Sequence, residues 1–237
     1  MKTKKSIALD LIDQGFHIIP LHNPTEHGCS CGKDCGSIGK HPRISGWPEK
    51  ASRDSRDIRS WWRRAPNANI GIVCGKESDL VVLDMDPRHN GEQSLDKLEE
   101  EIGCFTQTAT VQTGGGGKHF YFRYPGSGKL INSNGRLGEG LDIKTDGGYV
   151  VAPGSLHESG QKYRWLLRME NIEPFPKRVI TYLRKEKYQA TNSSKNYSLS
   201  STNPINEGKR NDTLFLLGVK LRDKGMTQKQ IYNELLD

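Results

Sequence analysis

Apolar positions along the first 185 residues switch between a helical and an extended period. Ile7, Ala8, Leu11 and Ile12 fall on one helical face and Gly15 follows them, which predicts an amphipathic helix from residue 6. Residues 16–21 are then apolar and extended. Residues 22–48, with many Gly, Pro and Ser, predict a loop. A helix is expected over 57–64, ended by Ala65-Pro66-Asn67, and two strand-like runs follow at 70–74 and 80–85. A helix over 94–102 leads to strands around 108–112 and 119–124. Further strands are expected at 141–144 and 148–152, and a basic helix over 176–187 closes this unit.

Beyond it the pattern changes. Residues 188–207 are rich in Ser, Asn and Thr without apolar periodicity and read as a linker. A helical pattern returns after Asn211 with Leu214, Leu217, Val219 and Leu221, breaks at Lys224-Gly225, and resumes with Ile231, Leu235 and Leu236. Thr227 suits the N-cap of the second helix. Two short helices bury little alone, so the sequence reads as a piece of a longer protein. The expected organisation is 1–187, a linker at 188–207, and the start of a helical domain at 208–237.

Composition narrows the class. Of 237 residues only 33% are hydrophobic and 27% are charged, yet the recurring apolar clusters can support a core. No apolar run approaches the roughly 18 residues needed to span a bilayer, and the basic start followed by mixed acidic and apolar residues does not read as a signal peptide. The net charge of +7 suits a polyanionic partner. Five cysteines, three of them crowded as Cys29, Cys31 and Cys35, fit a reduced, cytoplasmic protein with a metal knuckle better than a secreted disulfide scaffold.

The chemistry concentrates in three places. An apolar strand, Leu80-Val81-Val82-Leu83, ends in Asp84-Met85-Asp86, and side chains two apart on a strand share a face. Such a pair can hold hard divalent cations, Mg²⁺ or Mn²⁺, although Asp at a strand end also commonly starts a turn. Asp142 lies within a second apolar strand, where an unpaired carboxylate is costly; a metal or Lys144 on the same face would compensate it. Three strand-borne carboxylates are what two-metal phosphoryl transfer requires. Between them, Gly114-Gly115-Gly116-Gly117-Lys118-His119 resembles a phosphate loop but fails the Walker pattern, with Gln112 five before Gly117 and His119 after Lys118. Taken alone, it is equally a flexible hairpin.

In order, Asp84-Met85-Asp86, Gly117-Lys118-His119 and Leu141-Asp142 resemble the three motifs of the prim-pol catalytic domain of the archaeo-eukaryotic primase superfamily, the bifunctional DNA primase/polymerases of plasmids, phages and mobile elements. The flanks 69–72 and 147–153, the opening Gly15-Phe16-His17-Ile18-Ile19-Pro20 and Lys40-His41-Pro42 are similar too, so the resemblance spans roughly residues 6–170. It implies an α+β fold: a two-lobed, primase-like catalytic domain whose central sheet bears the carboxylates, plus a small C-terminal helical segment. It implies that Asp84, Asp86 and Asp142 bind catalytic Mg²⁺ or Mn²⁺ and that His119, with Gly117, meets the triphosphate. Lys118 and Lys144 are further phosphate candidates, Arg123 and Arg136 weaker ones. Implied partners are single-stranded DNA template, dNTPs or NTPs, and a helicase domain downstream in the full-length protein.

Cys29, Cys31, Cys35 and His41 offer four zinc ligands within 13 residues, with His22 or His27 as alternatives to His41. Members of the resembled family often carry such a cluster before Lys-His-Pro. The expected zinc is structural, since four protein ligands close its coordination sphere. Between residues 40 and 64 eight Lys/Arg face three Asp/Glu, interleaved with Trp47, Trp61 and Trp62, a composition suited to single-stranded template. Trp61 and Trp62 cannot both face outward from one helix. The expected activity is template-directed nucleotidyl transfer in DNA replication. Its rivals are a metal-dependent phosphodiesterase or nuclease on the same carboxylates, and a non-enzymatic zinc-containing nucleic-acid-binding module.

Overall fold

The computed structural model describes residues 2–105, 107–126, 130, 132–168 and 172–183. The linker and C-terminal helices expected after residue 187 lie outside the described residues. Among the described residues the fold is a mixture of helices and three antiparallel sheets, as an α+β chain should be.

Helix α1 (Lys4–Asp13) starts where Thr3 Oγ1 accepts from the Ser6 amide, and it buries the predicted face, Ala8, Leu11 and Ile12. Strand β1 (Ile18–Leu21) follows with every residue buried. The expected loop 22–48 contains a minimal hairpin, β2 (Pro24–Thr25) against β3 (Gly28–Cys29), and a one-turn helix α2 (Trp47–Lys50) begins at its end. Helix α3 (Ser55–Arg64) starts two residues earlier than its apolar pattern indicates, because Asp54 caps it through the Arg56 amide.

Strand β4 (Asn69–Val73) lies between β1 and β10 (Tyr149–Val151) in a three-stranded sheet. The larger sheet runs β11-β6-β7-β5-β9-β8, where β5 is Leu80–Met85, β6 Thr110–Gln112, β7 Lys118–Arg123, β8 Ser133–Asn134, β9 Leu141–Lys144 and β11 Arg164–Leu167. Strands β8 and β11 had no sequence signal. The first is two residues long, and the second, Arg164-Trp165-Leu166-Leu167, is an edge strand that leaves Leu166 exposed. Helix α4 (Gly91–Ile102) begins at Gly91 rather than Ser94.

Strand β5 is central to the large sheet and apolar on both faces. Leu80 and Val82 join a core with β1, β4, α1 and α3, including Ile18, Ile70, Ile58 and Trp62. Val81, Leu83 and Met85 join a second core on the opposite face with Leu98 of α4, Phe122, and Val179 and Leu183 from a helix covering 177–183. Continuous apolarity is what a strand covered on both faces requires. The tryptophans of the basic stretch belong to packing. Trp62 is 2% exposed and donates Nε1–H to the Ala68 carbonyl, Trp61 packs against the first core, and Trp47 meets Tyr149 edge-on. No helix among the described residues is long and apolar enough to cross a membrane.

Candidate active site

The alternation of β5 sends Asp84 to the same face as Leu80 and Val82, at the end of the strand where the apolar core gives way to a cleft. Register then assembles the site. Asp84 stands opposite His119 of β7 on one side and opposite Asp142 of β9 on the other. Residues opposite each other in antiparallel strands project from the same face, so Asp142, Asp84 and His119 form one row across three neighbouring strands. Motifs 58 residues apart, at Asp84 and Asp142, are thereby brought side by side.

His119 is the buried member, 5% exposed, with its ring 5.9 Å from that of Tyr163. Its Nε2 lies 3.5 Å from Asp84 Oδ1, and its buried Nδ1 has no hydrogen-bond partner among the described residues. Burial lowers its pKa, and Lys144 and Lys40 push it the same way while Asp84 opposes them. The imidazole is therefore neutral at neutral pH, with one nitrogen free to donate or accept.

Asp86 follows β5 directly and still faces the cleft. Its carboxylate caps a short helical turn through the Arg88 amide and is gripped by the Arg88 guanidinium at 3.0 and 2.8 Å, with His89 Nδ1 at 3.2 Å. The Arg88 fork holds this carboxyl far below the usual carboxylate range despite some burial. Asp142 accepts from the Gly135 amide at 3.0 Å and from Lys144 Nζ at 2.9 Å. The lysine predicted to compensate Asp142 does so, and it also lines the cleft.

The glycine turn closes this end. Thr113 binds it through its carbonyl to the Gly116 amide and through Oγ1 to the Gly117 amide. A Cβ on Gly117 would sit 2.3 Å from the Met85 carbonyl, so only glycine lets the turn lie against the end of β5. The cleft is about 460 Å³, within the range of roughly 300–1,000 Å³ typical of small-molecule sites. Asp84, Asp86, His119, Lys144, Arg88 and Lys40 line it, with Tyr149, His157 and Tyr163.

Not every expected residue reaches it. Lys118 pairs with Met85 and Gln112 and so takes the opposite face of β7 from His119. Arg123 stands 3.8 Å from Asp79, and Arg136 donates to the Leu183 carbonyl. Conversely, Arg88, His157 and Tyr163 were missed. Arg88 had a local signal, two residues after Asp86. His157 and Tyr163 come from a segment without periodicity, and only the fold places them here.

The second constellation holds as drawn from the spacing. Cys29, Cys31, Cys35 and His41 converge with their ligand atoms all within 4.8 Å of one another. His41 Nε2 lies 3.3 Å from Cys29 Sγ and 3.5 Å from Cys35 Sγ, and Cys31 and Cys35 sulfurs are 3.7 Å apart. Four ligands in tetrahedral array around zinc, with Zn–S about 2.3 Å and Zn–N about 2.0–2.1 Å, have edges of about 3.8 and 3.5 Å. The donor set fits zinc in both chemistry and size. Burial raises the Cys29 pKa, but the Gly39 and Cys31 amides and the His41 ring outweigh it and bring it down to about 6. Burial and the neighbouring thiols push Cys35 up to about 11. His41 rather than His22 completes the set; His22 stacks on the His41 ring at 4.5 Å and directs Nδ1 to Ser30 Oγ.

A family model described as bifunctional DNA primase/polymerase, N-terminal, matches residues 8–178. A search of curated proteins finds no match to the chain.

Proposed function

The chain belongs to the Prim-Pol family of bifunctional DNA primase/polymerase N-terminal domains, and from that premise we propose that its cleft joins nucleotides on a DNA template, with Asp84, Asp86 and Asp142 as the metal-binding catalytic set. The observation that carries this reading is the row Asp142–Asp84–His119 across three strands, of which Asp84 and His119, with Asp86 beyond them, line the cleft. Asp84 and Asp142 are like charges on one rung, and a hard divalent cation bound by them would relieve that repulsion. Mg²⁺ or Mn²⁺ there would activate the 3′-hydroxyl of a primer and neutralise charge on the phosphates of a dNTP or NTP, pyrophosphate being released.

The chain's own groups have separable tasks. His119, kept neutral by burial, presents a nitrogen to a triphosphate oxygen without forming a competing ion pair with Asp84. Lys144 restrains Asp142 and adds a positive charge to the cleft. Arg88 holds Asp86 in place; a cation held by that carboxylate would leave the guanidinium, which lies beside Gly115, available for phosphate. Zinc in the Cys29, Cys31, Cys35 and His41 set is structural, because no ligand position is left open for chemistry. The exposed arginines of α3, Arg56, Arg59, Arg63 and Arg64, supply sequence-independent attraction for single-stranded template.

Labelled dNTP, primed template and Mn²⁺ or Mg²⁺ test this directly. Templated extension is the expected product. Release of nucleotides from DNA without any dNTP requirement would instead assign the carboxylates to a phosphodiesterase, and DNA binding without turnover would leave only a binding module.

A further inference from the structure

The Cys₃His loop and the cleft are one residue apart in sequence. His41 completes the metal set, and Lys40 lines the cleft with Asp84, Asp86 and His119. This short stretch is fixed at each residue. The Gly39 carbonyl accepts from Asn69 Nδ2 at 2.9 Å, and the Asn69 side chain is fully buried and also bound to Leu156. The Lys40 carbonyl accepts from Tyr149 OH at 3.0 Å, and the His41 carbonyl accepts from the His22 amide at 2.9 Å. Gly39 adopts φ +73°, and a Cβ there would lie 2.5 Å from Pro24 Cδ, so the approach to Lys40 is tightly constrained.

Lys40 itself is left with a free ammonium: among the described residues it has no ion-pair partner, whereas Lys144 has Asp142 and Arg88 has Asp86. Its charge nevertheless reaches both cleft imidazoles, lowering the pKa of His119 and of His157. An unpaired cation facing a cleft edged by carboxylates has no built-in reason to be anchored this firmly. A polyanionic ligand supplies one.

We propose that Lys40 contacts the polyphosphate of the nucleotide bound in the cleft, and that the Cys₃His cluster thereby sets nucleotide affinity through its neighbour. This rests on the reading of the cleft as a nucleotide site and extends it to a residue and a loop with a defined task. Lysine suits the role as a compact charge on a flexible stem that follows a triphosphate without demanding bidentate geometry. The cluster is a positioning device: it holds His41, and through it the backbone from which Lys40 reaches the cleft.

The test uses the full chain and equilibrium binding with Ca²⁺ as the divalent ion. A fluorescent dATP analogue and its monophosphate counterpart are titrated into wild type, Lys40→Ala and Lys40→Arg, with zinc measured in each. Lys40→Ala should weaken triphosphate binding about tenfold or more, the scale of one charged hydrogen bond. It should leave monophosphate binding nearly unchanged and keep one zinc per chain, and Lys40→Arg should recover most of the loss. Removing zinc by chelation should weaken triphosphate binding in wild type but add little in Lys40→Ala, since both act through one contact. Unchanged triphosphate affinity in Lys40→Ala would overturn the proposal. So would a loss confined to single-stranded DNA affinity, with a salt slope reduced by about one, which marks a template-phosphate contact. Absence of triphosphate binding by wild type would instead refute the cleft as a nucleotide site.

Discussion

Asp84 Oδ1 and His119 Nε2 lie 3.5 Å apart on one rung of β5 and β7, and burial keeps the histidine neutral against the pull of that carboxylate. A charged imidazole here would compete with a cation for Asp84; a neutral one leaves the carboxylate available and keeps a nitrogen for a second ligand.

His119→Ala should therefore weaken dNTP binding by about 10- to 100-fold, the loss expected for one hydrogen bond to a charged group. Divalent-ion binding by the carboxylates should change little. Titration of dNTP in Ca²⁺ measures this, and equal affinity in the variant would assign His119 to packing against Tyr163.

Asp84 and Asp142 are like charges directly opposite each other, an arrangement that destabilises a sheet. Asp84→Asn and Asp142→Asn should accordingly leave the melting temperature unchanged or slightly higher. Asp86→Ala should behave differently, because it removes a cap and the Arg88 fork, at a cost of about 1 kcal/mol. Thermal melts of the three variants would distinguish these roles; a large loss at Asp84 would mean that its carboxylate holds the fold together.

Replacing Cys31 and Cys35 with serine should eliminate the one zinc per chain expected of the Cys₃His set and loosen the loop around it. Elemental analysis with hydrogen exchange over residues 22–48 reads both effects. Wild-type protein purified without chelators and holding no zinc would defeat the assignment.

The buried histidines give stability a defined pH dependence. The pKa values of His119 and His157 are both lowered from the ordinary 6.5, chiefly by burial. Below that value the unfolded chain binds more protons than the folded one. Their contribution is thus complete above about pH 6.5 and is lost as pH falls through the folded-state values. The melting temperature should drop between pH 7.5 and 5.5, and the drop should be smaller in His119→Gln and His157→Gln. The difference between the three proteins isolates the cleft histidines; identical slopes would contradict the argument.

Much of this was legible in the sequence where side-chain period and chemistry agree. The run Leu80-Val81-Val82-Leu83 predicted an apolar strand, and the Cys29-to-His41 spacing predicted a ligand set that the loop does assemble. The order of the motifs also foretold that Asp84 and His119 belong together. What could not be read was cross-strand register: nothing local places Asp142 opposite Asp84 or Lys118 on the face away from His119. Edge strand β11 and the cleft residues His157 and Tyr163 were invisible because tertiary packing, not periodicity, positions them. Of the tryptophans in the basic stretch, helix geometry required that Trp61 or Trp62 turn inward, and Trp62 is the core member; the sequence did not say which of the two.

The central claim is that Asp84 and Asp86 are metal-binding catalytic residues of a template-dependent polymerase, and one assay addresses it most directly. Incorporation of labelled dNTP into a primed template is measured with Mn²⁺ for wild type and for an Asp84→Asn, Asp86→Asn double variant of matched folding and zinc content. The account predicts templated extension by wild type and none by the variant. Extension by the folded double variant at a rate near that of wild type would contradict it.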